Sequence, residues 1–222
     1  MKRLFITGTD TDAGKTFVSA LLVQGLQLCG DTAYALKPIA SGCDVNGDNA
    51  DIKHLLAASQ LPLVEPDINW CKFALPIAPH LAAQRQGITL LGSEFRQFVE
   101  DPQRPVADWQ LIEGAGGWLL PLSDSELLAD TVSAAGWPVL LVVGVKLGCL
   151  NHALLTIREL QRQQVPVVGY VANILVDMPA LTENLAEIQR LLKIPCLGIV
   201  PFQPQFPESV SLQLAKQLQQ LM

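Results

Sequence analysis

Short apolar runs alternate along this chain with stretches whose apolar positions recur every three or four residues. Leu4–Thr7 reads as a first strand and Lys15 to about Cys29 as a helix, with Phe17, Leu21 and Leu28 beside Val18, Leu22 and Leu26 in one broad apolar stripe. Gly30-Asp31 ends that helix, Thr32–Lys37 is the next strand, and Pro38 stops it. Helical spacing predicts short helices over Asn49 to about Ser59, Pro79–Gln86 and Ser93–Glu100. Asp108–Glu113 reads as a buried strand ending in a carboxylate, and Pro138–Val143 is the most apolar strand. A helix from Asn151 to about Gln163, a strand Val165–Ala172, a helix Ala180–Leu192, a strand Cys196–Val200 and a closing helix Val210–Leu221 complete the pattern.

Strands that alternate with helices of this length predict an α/β fold, in which right-handed crossovers build a parallel sheet covered by helices on both faces. The continuous apolar runs suit strands buried on both sides. In open sheets of this kind ligands bind beyond the carboxyl ends of the strands. The polar segments Thr9–Thr16, Lys37–Gly42, Glu113–Gly117, Lys146–Asn151, Asn173 and Pro201–Gln203 each follow a predicted strand, so they are expected to converge on one edge. The second strand is expected beside the first. The chain contains no internal repeat or low-complexity tract, and the run from Pro201 to Pro207 reads as a stiff loop, so residues 1–222 are expected to form a single domain.

Composition narrows the partners. Half of the 222 residues are hydrophobic, 16% are charged, and the net charge is −6. An acidic balance argues against non-specific binding to nucleic acid or to an anionic membrane, both of which favour a basic surface. No apolar run approaches the roughly 18 residues of a membrane span. The start Met-Lys-Arg leads directly into a strand, and the five cysteines (Cys29, Cys43, Cys71, Cys149 and Cys196) are scattered with no Cys-x-x-Cys pair. The expectation is a reduced, cytoplasmic protein. His54, His80 and His152 form no metal spacing, and no zinc site is expected.

The most restrictive feature is the run from Gly8 to Thr16, which joins the first strand to the first helix. Backbone N–H groups around Ala13 and Gly14, at the positive end of a helix dipole, suit a phosphate. Lys15 can reach the outer phosphates, and the Thr16 hydroxyl can ligate Mg²⁺. Five residues rather than four separate Gly8 from Gly14, so Thr9 stands where the common phosphate-binding loop has glycine. The chain is therefore expected to handle a nucleoside triphosphate. Glu113, at the end of a buried strand and ahead of Gly114-Ala115-Gly116-Gly117, is placed as a Mg²⁺ ligand would be, or as a solvated strand-end carboxylate before a flexible turn. Lys37 would lie near the γ-phosphate if the second strand neighbours the first, and otherwise is a surface lysine. Asp51, ahead of Asp48, could supply a second metal carboxylate, or these residues could cap a helix. The segment Gly148-Cys149-Leu150-Asn151 opens a helix and could take a carboxylate or a phosphate, or Asn151 could simply cap it.

Taken together, Gly8–Thr16, Lys37-Pro38-Ile39-Ala40-Ser41-Gly42, Glu113–Trp118, Val143–Ala153 and Val171-Ala172-Asn173 closely resemble the ATP-dependent dethiobiotin synthetase family over nearly the whole chain. The resemblance implies that 7,8-diaminononanoate, CO₂ (as bicarbonate in solution) and ATP give dethiobiotin, ADP and phosphate with Mg²⁺, through a carbamate and a carbamic–phosphoric mixed anhydride. It implies catalytic roles for Lys15, Lys37 and Thr11, and Mg²⁺ on Thr16, Asp51 and Glu113. Asp12 to Phe17, Asp51, Glu113 to Gly116, Asn173, Ile174, Pro201, Phe202, Gln203 and Glu208 would bind the nucleotide. Lys37 and Ser41 would bind the substrate, and Gly148, Cys149, Leu150 and Asn151 would take its carboxylate across a homodimer interface. Two positions depart from the family: Asp12 stands where glutamate is frequent, and Ala78 where serine is frequent. Partitioning-type switch ATPases share a related loop but usually place a second lysine early in it, where this chain has Asp10. Related corrinoid-type ligases carry a glutamine-hydrolysing domain that this length does not hold, and a family member with a changed diamine substrate remains open.

Overall fold

The computed structural model describes residues 1–202 and 208–222. Its elements are β1 (Lys2–Gly8), α1 (Lys15–Leu28), β2 (Ala33–Leu36), β3 (Ile39–Ser41), α2 (Ala50–Ala58), α3 (Glu65–Ile68), β4 (Cys71–Phe73), α4 (Pro79–Gln84) and α5 (Gly92–Glu100). They continue with β5 (Trp109–Gly117), α6 (Leu128–Ala135), β6 (Val139–Val145), α7 (Cys149–Arg162), β7 (Val167–Ile174), α8 (Leu181–Leu192), β8 (Cys196–Val200) and α9 (Glu208–Leu221). Among the described residues six strands form one parallel sheet in the order β2-β5-β1-β6-β7-β8, and β3 pairs with β4 in a small second sheet.

All seven residues of β6 are buried. Successive strand residues face opposite sides, so burial of every position means that both faces of the sheet centre are covered. Helix α1 packs against α9 and α2, while α7 packs against α8 and α5 against α6. The α1–α9 contact is close because α1 carries Gly25. A Cβ at that position would lie 2.0 Å from the Ser211 carbonyl oxygen on α9.

The order of the sheet corrects one expectation. Strand β2 does not neighbour β1, because β5 lies between them, with Leu4 opposite Leu111 and Ala35 opposite the same residue. The consequence is that Lys37, just past β2, faces Glu113 on β5. Glu113 in turn does not end its strand. β5 runs on through the glycines to Gly117, which pairs with Gly8 after an irregularity between Ile6 and Gly8. Elements β3, β4, α3 and α6 were not expected. The first three are too short to show a period, and Leu128–Ala135 lies in a segment without one strong stripe. Helix α7 starts at Cys149 with Gly148 as its cap, so Asn151 lies in the first turn and is not the cap. No described helix is long and apolar enough to cross a membrane.

Gly25→Ala tests the α1–α9 packing. Alanine is the better helix former by about 1 kcal/mol, but a Cβ 2.0 Å from a backbone oxygen puts the overpacking cost at the upper end of its usual span, about 2–3 kcal/mol. The variant is expected to lose about 1–2 kcal/mol of stability in denaturant unfolding; an unchanged or raised midpoint contradicts the close approach.

Candidate active site

The parallel register brings the carboxyl ends of β2, β5, β1, β6 and β7 to one edge, and the loop from Thr9 to Gly14 sits there. That loop is braced from its neighbours. Thr9 donates its N–H to the Val142 carbonyl at 3.0 Å, and the Gly144 N–H donates to the Thr9 hydroxyl at 3.2 Å. The Asn173 amide, at the end of β7, donates to the Ala13 carbonyl at 2.9 Å. Gly14, the cap of α1, has φ 87°, and a side chain there would also collide with Asn173. Both conditions require glycine. Asp12 has φ 59°. Aspartate tolerates this left-handed backbone better than most residues do, glutamate included, which gives a local reason for the departure noted at this position.

Four charged groups meet beyond the loop. Lys37 is buried, and its ammonium lies 2.5 Å from Glu113 Oε1 and 2.8 Å from Asp51 Oδ2. The Thr16 hydroxyl donates to the same Glu113 Oε1 at 2.7 Å. The Glu113 side chain has no exposed surface and that of Asp51 is 43% exposed. Burial pushes the Lys37 pKa down, but the charges and hydrogen bonds of Glu113 and Asp51 outweigh it and hold the group above the ordinary lysine value. Burial likewise works against the Asp51 carboxylate, and Lys37, the Thr16 hydroxyl and Lys15 outweigh it, so its pKa lies below the usual value. Lys15 has no such partner. Its ammonium donates to the Asp10 carbonyl at 3.1 Å, and burial, with the neighbouring charge of Lys37, lowers its pKa to about 8.

Asn49 settles the choice left open for the acidic segment. Its side chain caps α2 by accepting from the N–H groups of Asp51 and Ile52, which leaves the Asp51 carboxylate to Lys37. Asp48 instead pairs with Lys53 in solvent. Asp10 accepts from Lys146 at 3.2 Å, so the position where switch ATPases usually carry lysine holds the acidic half of an ion pair.

A cavity of about 610 Å³ opens on this cluster. It is lined by Thr11, Asp12, Gly14, Lys15, Thr16, Phe17, Lys37, Ser41, Asp51, Glu113, Ala115 and Gly116, all sequence candidates. Ile39, Gly42, Asn49, Ala50, His54 and Pro76 line it as well. Of these, Ile39 and Gly42 belong to the Lys37–Gly42 motif, whereas Asn49, Ala50, His54 and Pro76 carried no chemical signal and arrive through α2 and the turn after β4. Ala13 and Gly114 are buried behind the lining, the latter against the Phe5 ring. Asn173 and Ile174 end β7, and Pro201 and Phe202 follow β8, beside them on the same edge but outside the cavity. Gln203 lies outside the described residues. Glu208 lines a separate cavity with Gln24, Gln60 and Ser211. Gly148, Leu150 and Asn151 stand at the start of α7, away from this cavity, and the Cys149 side chain is buried. A larger cavity of about 750 Å³, with Trp70, Glu94, Phe98 and Asp101 in its wall, contains none of the phosphate-loop residues; the chemistry selects the smaller one.

The donor set can be tested for a metal. Glu113 Oε2 is buried without a hydrogen-bond partner, and Thr16, Asp51 and Glu113 offer hard oxygen donors at one point. Among the described residues no cluster of three or more His, Cys, Asp or Glu side chains forms a complete metal cage. Two carboxylates and a hydroxyl that leave room for phosphate oxygens are what Mg²⁺ takes in nucleotide sites, so the residues fit it.

Relatives of known name decide the family. A family model described as an AAA domain matches residues 2–209. ATP-dependent dethiobiotin synthetase BioD of Cellvibrio japonicus (strain Ueda107) is 45% identical over 204 residues, covering 90% of this chain and 89% of the relative. The chain belongs to the ATP-dependent dethiobiotin synthetase family. The synthetase of Pseudoalteromonas translucida (strain TAC 125) is 42% identical over 212 residues, covering 94% and 93% of the two chains. Among solved structures, the septum site-determining protein MinD of Pyrococcus horikoshii in complex with Mg-ADP has a TM-score of 0.58 at 16% identity, covering 99% of this chain and 96% of that one. MinD of Aquifex aeolicus has a TM-score of 0.59 at 12% identity, covering 99% and 97%. These likenesses establish the α/β fold that this chain shares with the cell-division ATPases.

Two outcomes are expected. In the ligand-free protein Lys15 loses its proton as pH rises through about 8, whereas bound phosphate restores the charge. ADP binding above pH 8 should therefore take up a proton and weaken with rising pH; calorimetry in buffers of different ionisation enthalpy reads this, and uptake that persists in Lys15→Met contradicts it. Asn173→Ala removes the brace on Ala13 and should weaken ADP and pyrophosphate together, by about tenfold if one hydrogen bond of about 1–1.5 kcal/mol is lost. Undiminished pyrophosphate binding would contradict the brace.

Proposed function

We propose that this chain carboxylates 7,8-diaminononanoate with CO₂ and closes the ring to dethiobiotin at the expense of ATP, in the presence of Mg²⁺. The observation that supports this most is the set of charges around one cavity: two lysines and three oxygen donors, with the Thr11 and Ser41 side chains in the same wall. One amine takes up CO₂ as a carbamate. The carbamate oxygen attacks the γ-phosphorus and ADP leaves, giving the carbamic–phosphoric anhydride. The second amine attacks the carbonyl carbon, closes the cyclic urea and expels phosphate.

The physical difficulty is the approach of one anion to another. Two unit charges 4 Å apart repel by about 4 kcal/mol at an effective dielectric constant of 20, about a thousandfold in rate. Lys15 would offset the charge of the outer phosphates, and Lys37 that of the transferring group and the carbamate. Thr11 and Ser41 would orient the amine and the carbamate. Thr16, Asp51 and Glu113 would hold Mg²⁺, which when bound supplies Lewis-acid charge at the phosphate oxygens.

Adenine would lie beyond β7 and β8, against Asn173, Ile174, Pro201 and Phe202. Gly148–Asn151 lie outside this chain's cavity, which supports a role toward the site of a second copy, where the Leu150 and Asn151 N–H groups in the first turn of α7 would take the substrate carboxylate. Leu147, 92% exposed beside them, suits such an interface. The reading thus includes a homodimer, with the whole chain acting as one catalytic unit in the cytoplasm.

Purified protein incubated with ATP, Mg²⁺ and bicarbonate, with and without the diamine, is expected to release one phosphate for each dethiobiotin detected by mass spectrometry. Phosphate release indifferent to the diamine would discard the substrate and return the chain to the ATPase class.

A further inference from the structure

We propose that Lys37 is the resident cation of the Mg²⁺ site, and that a divalent cation must take Glu113 and Asp51 from it before the lysine is free to face the phosphates. The proposal rests on the metal assignment made above and adds a competition that the assignment alone does not contain.

The geometry supports it in three ways. The lysine ammonium touches Glu113 Oε1 at 2.5 Å and Asp51 Oδ2 at 2.8 Å, and the Thr16 hydroxyl reaches the same Glu113 oxygen at 2.7 Å. The three groups with the right chemistry for the metal therefore already converge on one positive charge. Mg²⁺ requires its oxygens at about 2.0–2.1 Å in near-octahedral array, so it would need the two carboxylates that the ammonium now contacts, and two cations so close repel strongly. Second, Lys37 leaves the pair of carboxylates one negative charge in excess, and Glu113 Oε2 is buried with no partner. The lysine thus holds the site without satisfying it, whereas a divalent ion balances both carboxylates. Third, Pro38 follows Lys37 and constrains the backbone there, so the displacement falls to rotation of the buried four-carbon stem, on a residue that lines the cavity.

Once displaced, the ammonium would become a second uncompensated cation beside Lys15 on the wall of the same cavity. An incoming polyphosphate would stabilise it there. Metal and nucleotide would then favour each other's binding through the lysine as well as by direct contact, and the charge that assists phosphoryl transfer would be released when the metal arrives.

The test uses Mg²⁺ alone. Thermal unfolding is followed across a MgCl₂ titration at constant ionic strength, without nucleotide, for the natural protein and for Lys37→Met. Removing the competitor should lower the Mg²⁺ midpoint at least tenfold and let saturating Mg²⁺ restore most of the melting temperature that the variant loses without metal. Equal midpoints overturn the competition and leave the metal assignment standing. Absence of any Mg²⁺ effect in both proteins overturns the two together. Should the variant fail to fold, the natural protein carries the same test. The ¹H–¹⁵N resonance of the Lys37 ammonium should shift, and its coupling across the hydrogen bond to the Glu113 carboxylate should vanish, with Mg²⁺ but not with K⁺. A coupling that survives saturating Mg²⁺ overturns the proposal.

Discussion

The site depends on one buried charge. Glu113 stands in the middle of β5 with no exposed side-chain surface, and a carboxylate so placed costs several kcal/mol unless partners compensate it. Its compensation comes from two different elements: the ammonium of Lys37 just past β2 and the hydroxyl of Thr16 on α1. Strand β5 must therefore run between β1 and β2, so that the residue after one neighbour and the helix after the other both reach it. Removing either charged partner from such a pair leaves the other uncompensated, at about 3–5 kcal/mol. That constraint ties the order of the sheet to the chemistry of its edge.

The phosphate loop is organised on the other side of β1. Val142, Gly144 and Asn173 hold Thr9 and Ala13 from β6 and β7, while Asp10 pairs with Lys146. The loop is thus bonded to β6, buried at every position, and to β7, buried from Gly169 to Asn173. An anion site braced in this way would be organised before its ligand arrives, which is what electrostatic catalysis requires. Lys15, its pKa lowered to about 8 by burial and by the charge of Lys37, stands at the positive end of that arrangement.

Much of this was legible in the chain. The strand–loop–helix around Gly14-Lys15-Thr16 and the continuous apolar run of β6 are local signals, and they carried the fold class and the edge on which the loop sits. The order of the strands was not legible, because periodicity does not state which strand inserts between two others; Lys37 came to the site through β5 rather than through β1. Asn49, His54 and Pro76 were missed because they reach the cavity through packing, with no motif of their own. Asn173 was read as a nucleotide neighbour, and its amide holds the loop carbonyl of Ala13, a contact between residues far apart in the chain that no local pattern encodes. Asp51 was preferred to Asp48 from the sequence, with helix capping as the open alternative; the cap is made by Asn49.

The measurement that bears most directly on the account follows an oxygen atom. If the cavity directs the γ-phosphoryl group onto a carbamate, one oxygen of CO₂ must leave with the phosphate when the urea closes. In a short reaction started with C¹⁸O₂ in unlabelled water, with ATP, Mg²⁺ and the diamine, the phosphate released is predicted to carry one ¹⁸O. Phosphate that takes its new oxygen from water instead would contradict transfer to the carbamate and leave this site a simple hydrolase of ATP.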